Sequence, residues 1–318
     1  MEKELLNFFK DKKICVVGDT IIDVSYRCES LGLALETPTL KARLKNYRTI
    51  PGGALGVVSN LQKLCKSITF LTLKAPGEYM DMFKSCSKNV QIKAFYDASK
   101  INNVKRRYWV TRGEQEYKYF QLNTDCKKPI SEEVEGMILA EIPDMLVGFD
   151  CVIISDYRNG FLTPKIIKHI ISACNLNGTN VLINSQLSSN DIEHFQNFKD
   201  CSLLVVNESE CNVLKKYLNC SNIKEVSKSL NCDICVTLGS KGSLLCVDGE
   251  EFNSPGVSTN VVDSCGAGDS FLASLALCDY ENSPQESLNI SNNWAALYVS
   301  TPKNHLPNLF DLKKKFNV

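Results

Sequence analysis

Cys151-Val152-Ile153-Ile154-Ser155 is followed by Pro164 to Asn177 and then by Asn180-Val181-Leu182-Ile183-Asn184. The two outer pieces are short, apolar and β-branched, the pattern of strands buried on both faces. The middle piece carries helical periodicity. A strand, a helix and a strand in that order predict parallel pairing through a right-handed crossover. The same alternation runs outward in both directions. Ile14 to Gly18, Ile68 to Thr72, Leu203 to Val206 and Ile234 to Leu238 read as further buried strands. Ala54 to Cys65, Ser131 to Glu141, Glu208 to Leu218 and Ile223 to Leu230 read as helices. Near the C-terminal end the rhythm changes to an antiparallel hairpin around Val247-Asp248-Gly249. Two successive helices, Gly266 to Asp279 and Gln285 to Ser300, follow it. The expected fold class is α/β, a mostly parallel central sheet between helical layers.

Two regions interrupt that pattern. Thr39 to Ile50 and Val104 to Leu122 alternate apolar with polar residues, as in Lys105-Arg106-Arg107-Tyr108-Trp109-Val110. Period-two alternation fits strands with one wet face, which predicts a small separate sheet acting as a lid. No Pro/Gly/Ser-rich linker, repeat or low-complexity tract divides the chain, so 1–318 is expected to form one domain carrying that lid.

Composition narrows the function classes. The 318 residues are 44% hydrophobic and 23% charged, an ordinary globular profile. Lys plus Arg and Asp plus Glu are both 36, so no net field exists to attract nucleic acid or an anionic membrane. No run of 18 apolar residues suggests a membrane span, and Met1 to Lys13 lacks the apolar core of a signal peptide. The 15 cysteines are scattered, often inside apolar runs, where Cys behaves as a small hydrophobe. Cys232 and Cys235 form a lone CxxC, read as a strand edge in preference to a redox or metal site. His169, His194 and His305 form no ligand pattern. These features predict a reduced, cytoplasmic protein without nucleic-acid or membrane partners.

One stretch carries specific chemistry: Val262-Asp263-Ser264-Cys265-Gly266-Ala267-Gly268-Asp269-Ser270-Phe271, just before an apolar helix. Glycines at 266 and 268 let the backbone turn tightly and approach a ligand. The free N–H groups of the helix start would bind an anion, and Asp269 beside them could take a proton from a hydroxyl. Taken alone, the segment reads equally well as a helix cap with a surface Asp.

The decapeptide resembles the D-T-x-G-A-G-D-x-F signature of the ribokinase-like, or PfkB, sugar kinases, and other segments fall in that family's order. Pro51-Gly52-Gly53-Ala54 resembles its N-terminal glycine motif and Asn207-Glu208-Ser209-Glu210 its N-x-x-E motif. Thr237-Leu238-Gly239 with Lys241-Gly242 resembles its nucleotide-contacting turn. Asn292-Asn293-Trp294-Ala295-Ala296 falls where the family has a helix beside the adenine. Within the family, Val17-Gly18-Asp19-Thr20-Ile21-Ile22-Asp23, Glu36-Thr37-Pro38 and Ser155-Asp156-Tyr157-Arg158-Asn159-Gly160-Phe161-Leu162-Thr163 are similar to the heptose 7-phosphate kinase branch. Those kinases form one half of the bifunctional ADP-heptose synthases. The resemblance runs from Ile14 to about Asn308 and implies a ribokinase-like three-layer sandwich with a β-sheet lid.

It also implies ATP and Mg2+ as cofactors, with a monovalent cation left open, and site roles at matching positions. Asp269 would be the catalytic base, with the backbone of Gly266, Ala267 and Gly268 as anion hole. Asp263 would organise phosphates or an ion, and Asn184 would contact phosphate. Thr237, Gly239, Gly242 and Asn292 would border the nucleotide. Asn207 and Glu210 would hold Mg2+ through waters, although the same pair can simply cap a helix. Asp23, Gly52 and Gly53 match hydroxyl-binding positions; Asp23 could instead cap a turn. Lys105, Arg106 and Arg107 on the lid could hold the remote phosphate of a sugar phosphate, or form a solvated strand face. The lid strands expose an edge that could pair two subunits.

The chain also departs from the branch. Gly56 stands where those kinases read Asn in P-G-G-A-A-N-V-A, and Asn184-Ser185-Gln186 replaces D-P-K. The implied activity is ATP-dependent phosphorylation of a sugar or sugar-phosphate hydroxyl, with heptose 7-phosphate at O1 the first choice of acceptor. A kinase for another sugar, sugar acid or nucleoside, or a non-catalytic binding paralogue, remains the alternative.

Overall fold

The computed structural model describes residues 12–79, 81–302 and 306–315; residues 1–11 and His305, which entered the sequence argument, lie outside them. In chain order the elements are β1 (Lys13–Gly18), β2 (Thr20–Leu33), β3 (Leu40–Gly53), α1 (Ala54–Leu61), β4 (Ser67–Lys74), β5 (Val90–Tyr96), β6 (Asn103–Arg112) and β7 (Gln115–Thr124). They continue with α2 (Glu132–Met145), β8 (Cys151–Asp156), α3 (Pro164–Asn177), β9 (Asn180–Ser185), β10 (Leu203–Asn207), α4 (Glu208–Leu218), α5 (Ile223–Leu230) and β11 (Asp233–Thr237). Last come β12 (Gly242–Val247), β13 (Glu250–Pro255), α6 (Ala267–Leu275), α7 (Pro284–Ser300) and α8 (Leu309–Lys315).

The crossover from β8 through α3 to β9 has the expected boundaries. Thr163 caps α3, its Oγ1 accepting Ile166 N–H at 3.3 Å, Pro164 opens it, and left-handed Gly178 ends it. The main sheet has the order β13-β12-β11-β10-β9-β8-β1-β4-β5. It is parallel except where β12 pairs antiparallel with β11 and β13. Alternate residues of each strand enter opposite cores. Cys15 and Val17 join the side covered by α2, α3, α4 and α5, whereas Ile14 and Val16 join the side of α1, α6 and α7. The strand reading of the CxxC follows the same rule, with Cys232 and Cys235 in different cores. All fifteen cysteines are free thiols. No helix among the described residues is long and apolar enough to cross a membrane.

The lid is a four-stranded sheet of order β3-β2-β6-β7. Its strands β3, β6 and β7 overlap residues 39–50 and 104–122. Its centre is β2, which was not expected and which pairs antiparallel with β3 and parallel with β6. Because β1 and β2 are separated only by Asp19, the chain passes directly from the main sheet into the lid. The cleft between them is therefore floored by the C-terminal ends of β1, β8 and β9. The edge strand β5 was likewise missed.

Candidate active site

At the start of α6 the chain turns through Gly266, with φ 83°. That left-handed value favours glycine, and a Cβ there would stand 2.8 Å from the Tyr298 hydroxyl. The first N–H groups of a helix have no partner within it. Ala267 N–H turns back to Ser264 O at 3.2 Å, so one of the three donors expected for the anion hole is engaged. Those of Gly266 and Gly268 meet no acceptor among the described residues. Nothing lies within 4 Å of where a Gly268 Cβ would be. Two donors at a helix start without an acceptor among the described residues fit an anionic group.

Asp269 lies in the first turn of α6 and is 7% exposed. The Tyr157 hydroxyl donates to its Oδ1 at 2.8 Å. On the far side, a Cβ at Gly56 would stand 3.1 Å from its Oδ2. Asp269 borders a cavity of about 370 Å³ that also holds Asp23, Gly52, Gly53, Arg107, Asp263 and Gly266. The expected base, acceptor-binding residues and helix start, scattered over 247 positions of sequence, thus meet in one place. Asp263 Oδ1 accepts Cys265 N–H at 2.9 Å, shaping the turn before Gly266. A second lobe of about 650 Å³ includes Lys127, Arg158 and Glu210, and Lys105, Gln121, Tyr157 and Gln186 line both.

The lid supplies the cavity roof by strand alternation. Lys105 and Arg107 border the cavity. Arg106, between them, is held by Thr124 Oγ1 at 2.8 Å and Glu78 Oε2 at 3.1 Å. Arg106 thus faces away from Lys105 and Arg107, because neighbours on a strand face opposite sides. Arg107 forms an ion pair with Asp23. Burial raises the Asp23 carboxyl above its ordinary value, and the Arg107 charge beside it opposes that rise. Gly52 lets β3 pass this carboxylate, since a Cβ there would stand 2.7 Å from Asp23 Oδ2.

Of the residues expected to meet nucleotide and metal, Asn184, Asn207, Thr237 and Gly242 lie at the ends of β9 to β12, Glu210 in the first turn of α4 and Asn292 on α7. Asn207 Oδ1 accepts Glu210 N–H at 2.9 Å and Glu210 Oε2 accepts Asn207 N–H at 2.8 Å, a reciprocal cap of α4. Burial raises the Glu210 carboxyl, although the N–H groups of Asn207 and Leu187 oppose it. Among the described residues no group of three or more His, Cys, Asp or Glu is arranged to hold a metal. Two hard oxygen donors fit Mg2+ held through waters and not an all-protein cage. Asn184 Nδ2 donates to Val205 O at 2.9 Å, and Thr237 Oγ1 to Val206 O at 3.4 Å. Gly239 and Gly242 both have positive φ, and a Cβ at Gly242 would collide with Ser254 O. Asn292 is 8% exposed; its amide donates to Ser254 Oγ at 2.9 Å and its Oδ1 accepts from Ser243 Oγ at 3.2 Å. That side chain ties α7 to β12 and β13.

Sequence reasoning missed Tyr157 and Tyr298 as site residues. Tyr157 lies inside a segment quoted for resemblance, but its contact with Asp269 spans 112 residues and leaves no local signal. Burial and the nearby Asp269 push the phenols of both tyrosines well up, so both stay protonated donors. His194 is also bound up, with its Nε2 2.8 Å from Asp156 Oδ2 below the cleft.

A family model for the pfkB family carbohydrate kinases matches residues 11–308. The chain is 26% identical over 307 residues to the bifunctional protein HldE of Campylobacter jejuni, covering 93% of this chain and 63% of that protein. It is 25% identical to HldE of Helicobacter pylori, covering 95% and 65%. The chain thus spans under two thirds of the length of these relatives. Among solved structures, Escherichia coli phosphofructokinase-2 in complex with substrates and products superposes with TM-score 0.72 at 15% identity, over 96% of this chain and 98% of that one. The Methanocaldococcus jannaschii nucleoside kinase, an archaeal member of the ribokinase family, superposes with TM-score 0.69 at 17% identity, over 97% and 99%. The expected three-layer α/β sandwich with a smaller sheet is the ribokinase-like fold. With its signature turn, its fold and nearly its whole length in agreement, the chain belongs to the pfkB family of ATP-dependent carbohydrate kinases, phosphotransferases acting on sugar hydroxyls.

Proposed function

We propose that this chain, acting as one domain with its lid, phosphorylates a hydroxyl of a sugar or sugar phosphate, with heptose 7-phosphate at O1 the first acceptor to test. The observation that carries the reading is the shared cavity of Asp269, Gly266, Asp23, Gly52, Gly53 and Arg107. ATP supplies the phosphoryl group when bound, and Mg2+ screens its charge. Asn207 and Glu210 would hold that ion through waters; Asn184, Thr237, Gly239, Gly242 and Asn292 would border the nucleotide. The N–H groups of Gly266 and Gly268 stabilise negative charge developing on the phosphoryl oxygens, and Asp269 accepts the proton of the attacking hydroxyl. Asp23 accepts a hydrogen bond from a further hydroxyl, with Arg107 beside it to balance charge. A monovalent cation belongs to the same proposal, with no residue assigned to it. The free thiols fit a reduced, cytoplasmic setting.

Similarity to the HldE proteins supports the heptose acceptor. Two residues favour testing others, since Gln186 lines both lobes and the buried Gly56 abuts Asp269 where the branch has Lys and Asn. ATP turnover across heptose 7-phosphate, other sugars with and without phosphate, sugar acids and nucleosides tests the proposal. ATP binding with no turnover on any of them would mark a non-catalytic binder. The lid edge strands β3 and β7 expose Tyr47, Tyr119, Phe120 and Leu122, a surface we assign to pairing with a second copy. Light scattering that finds only monomer removes that assignment.

A further inference from the structure

Tyr157 reaches Asp269 from a loop whose shape is held from beneath. Asp19 Oδ2 accepts Tyr157 N–H at 2.9 Å and Asn159 N–H at 3.3 Å, and Asp156 Oδ1 accepts Arg158 N–H at 2.9 Å. Both carboxylates are almost fully buried. Arg158 adopts φ 61°, a left-handed value that a residue with a side chain keeps only when its surroundings impose it. Two residues on, Gly160 has φ 83° and passes Lys128 O where any Cβ would collide. Lys105 Nζ stands 5.2 Å from the centre of the Tyr157 ring on the lid side. The phenol is thus fixed at both ends, by backbone bonds at its root and by Asp269 at its tip.

We infer that Tyr157 is the positioning residue for Asp269, its hydroxyl turning the carboxylate against Gly56 and stabilising its ionised form. The inference rests on reading Asp269 as the base. An Asp side chain rotates about two bonds, and a base works only when it lies within hydrogen-bond reach of the proton it removes. The bond to Oδ1 fixes one oxygen, and Gly56 leaves room for the other. A donor to a carboxylate also lowers the pH at which it takes up a proton. The other titratable groups lining this cavity are Asp23 on β2, Lys105 and Arg107 on β6, Lys118 on β7, Asp263 and Cys265 before α6, and Tyr298 on α7. None of these is altered by removing the Tyr157 hydroxyl.

Tyr157→Phe removes the donor and keeps the ring. The loss of a hydrogen bond to a charged group predicts a fall in kcat of about ten-fold, with little change in the KM for ATP. The acid limb of kcat against pH should move to higher pH, because the ionised Asp269 loses the donor that favours it. The limb position does not depend on how much enzyme is folded, so it separates positioning from packing. A lower rate with the limb unmoved, or an unchanged rate and limb, overturns the inference. Asp269→Asn measured alongside separates the two levels. If that variant keeps full turnover, the reading of the base fails; if it loses turnover while Tyr157→Phe behaves as wild type, only the positioning role fails.

Discussion

Asp19 lies at the junction of β1 and β2, 2% exposed, with Asp156 close by. Its carboxyl is pushed up to about 7, first by burial and then by Asp156, against the pull of the Asn159 and Tyr157 N–H groups and of Lys100. The ordinary value is 3.8. A buried acid whose folded value exceeds its unfolded one costs nothing while both states are protonated. The cost grows as pH rises past the unfolded value, and is complete above the folded one. At 1.36 kcal/mol per unit the whole shift corresponds to ~4 kcal/mol, lost from stability between about pH 4 and pH 7. Asp19→Asn keeps an oxygen for the two N–H groups and removes the charge. Urea unfolding at pH 5 and pH 8 should therefore show the variant more stable than wild type, with the larger advantage at pH 8. An advantage that is equal at the two pH values, or a variant less stable at pH 8, would refute the assignment of Asp19 as a costly buried charge.

Replacing Asn207 and Glu210 together by Ala should raise the Mg2+ concentration for half-maximal rate. It should also cost about 1 kcal/mol in urea unfolding through the lost helix cap; an unchanged Mg2+ dependence leaves only the capping role. Arg107→Gln leaves Asp23 buried without its partner, and KM for the acceptor should rise at least ten-fold, as expected when one member of a buried charge pair is removed. Arg106→Gln, on the opposite lid face, should leave that KM unchanged in the same initial-rate assay. Equal effects of the two would contradict the alternation that places only Arg107 in the cleft.

The main sheet was legible because its central strands are buried on both faces. Cys151 to Ser155 and Leu203 to Val206 become unbroken apolar runs, and a Thr–Pro start with a Gly end marked α3 to the residue. The lid centre was not legible for the opposite reason. The first half of β2 is buried on both faces, yet Thr20, Asp23 and Ser25 interrupt its apolar pattern. A functional cleft floor thus looks like a loop. The edge strand β5 has only one buried residue, Phe95, and carried too weak a signal. Asp269 and its glycines were legible because a helix start has a local signature. Tyr157, held there by Asp19 across 138 residues, has none. The separation of Arg106 from Arg107 follows from the period-two alternation of β6 itself.

The most direct test of the central claim replaces Asp269. Asp269→Asn keeps the side-chain size, the Gly266 turn and the start of α6, and removes the base. General base catalysis by a positioned group typically contributes about 10²–10⁴-fold. Turnover on the acceptor identified in the panel should fall by that factor, while ATP affinity measured by titration stays near wild type, because the lost interaction is made only in the transition state. Full turnover by Asp269→Asn would contradict the account, since proton removal from the acceptor would then need no carboxylate at that position.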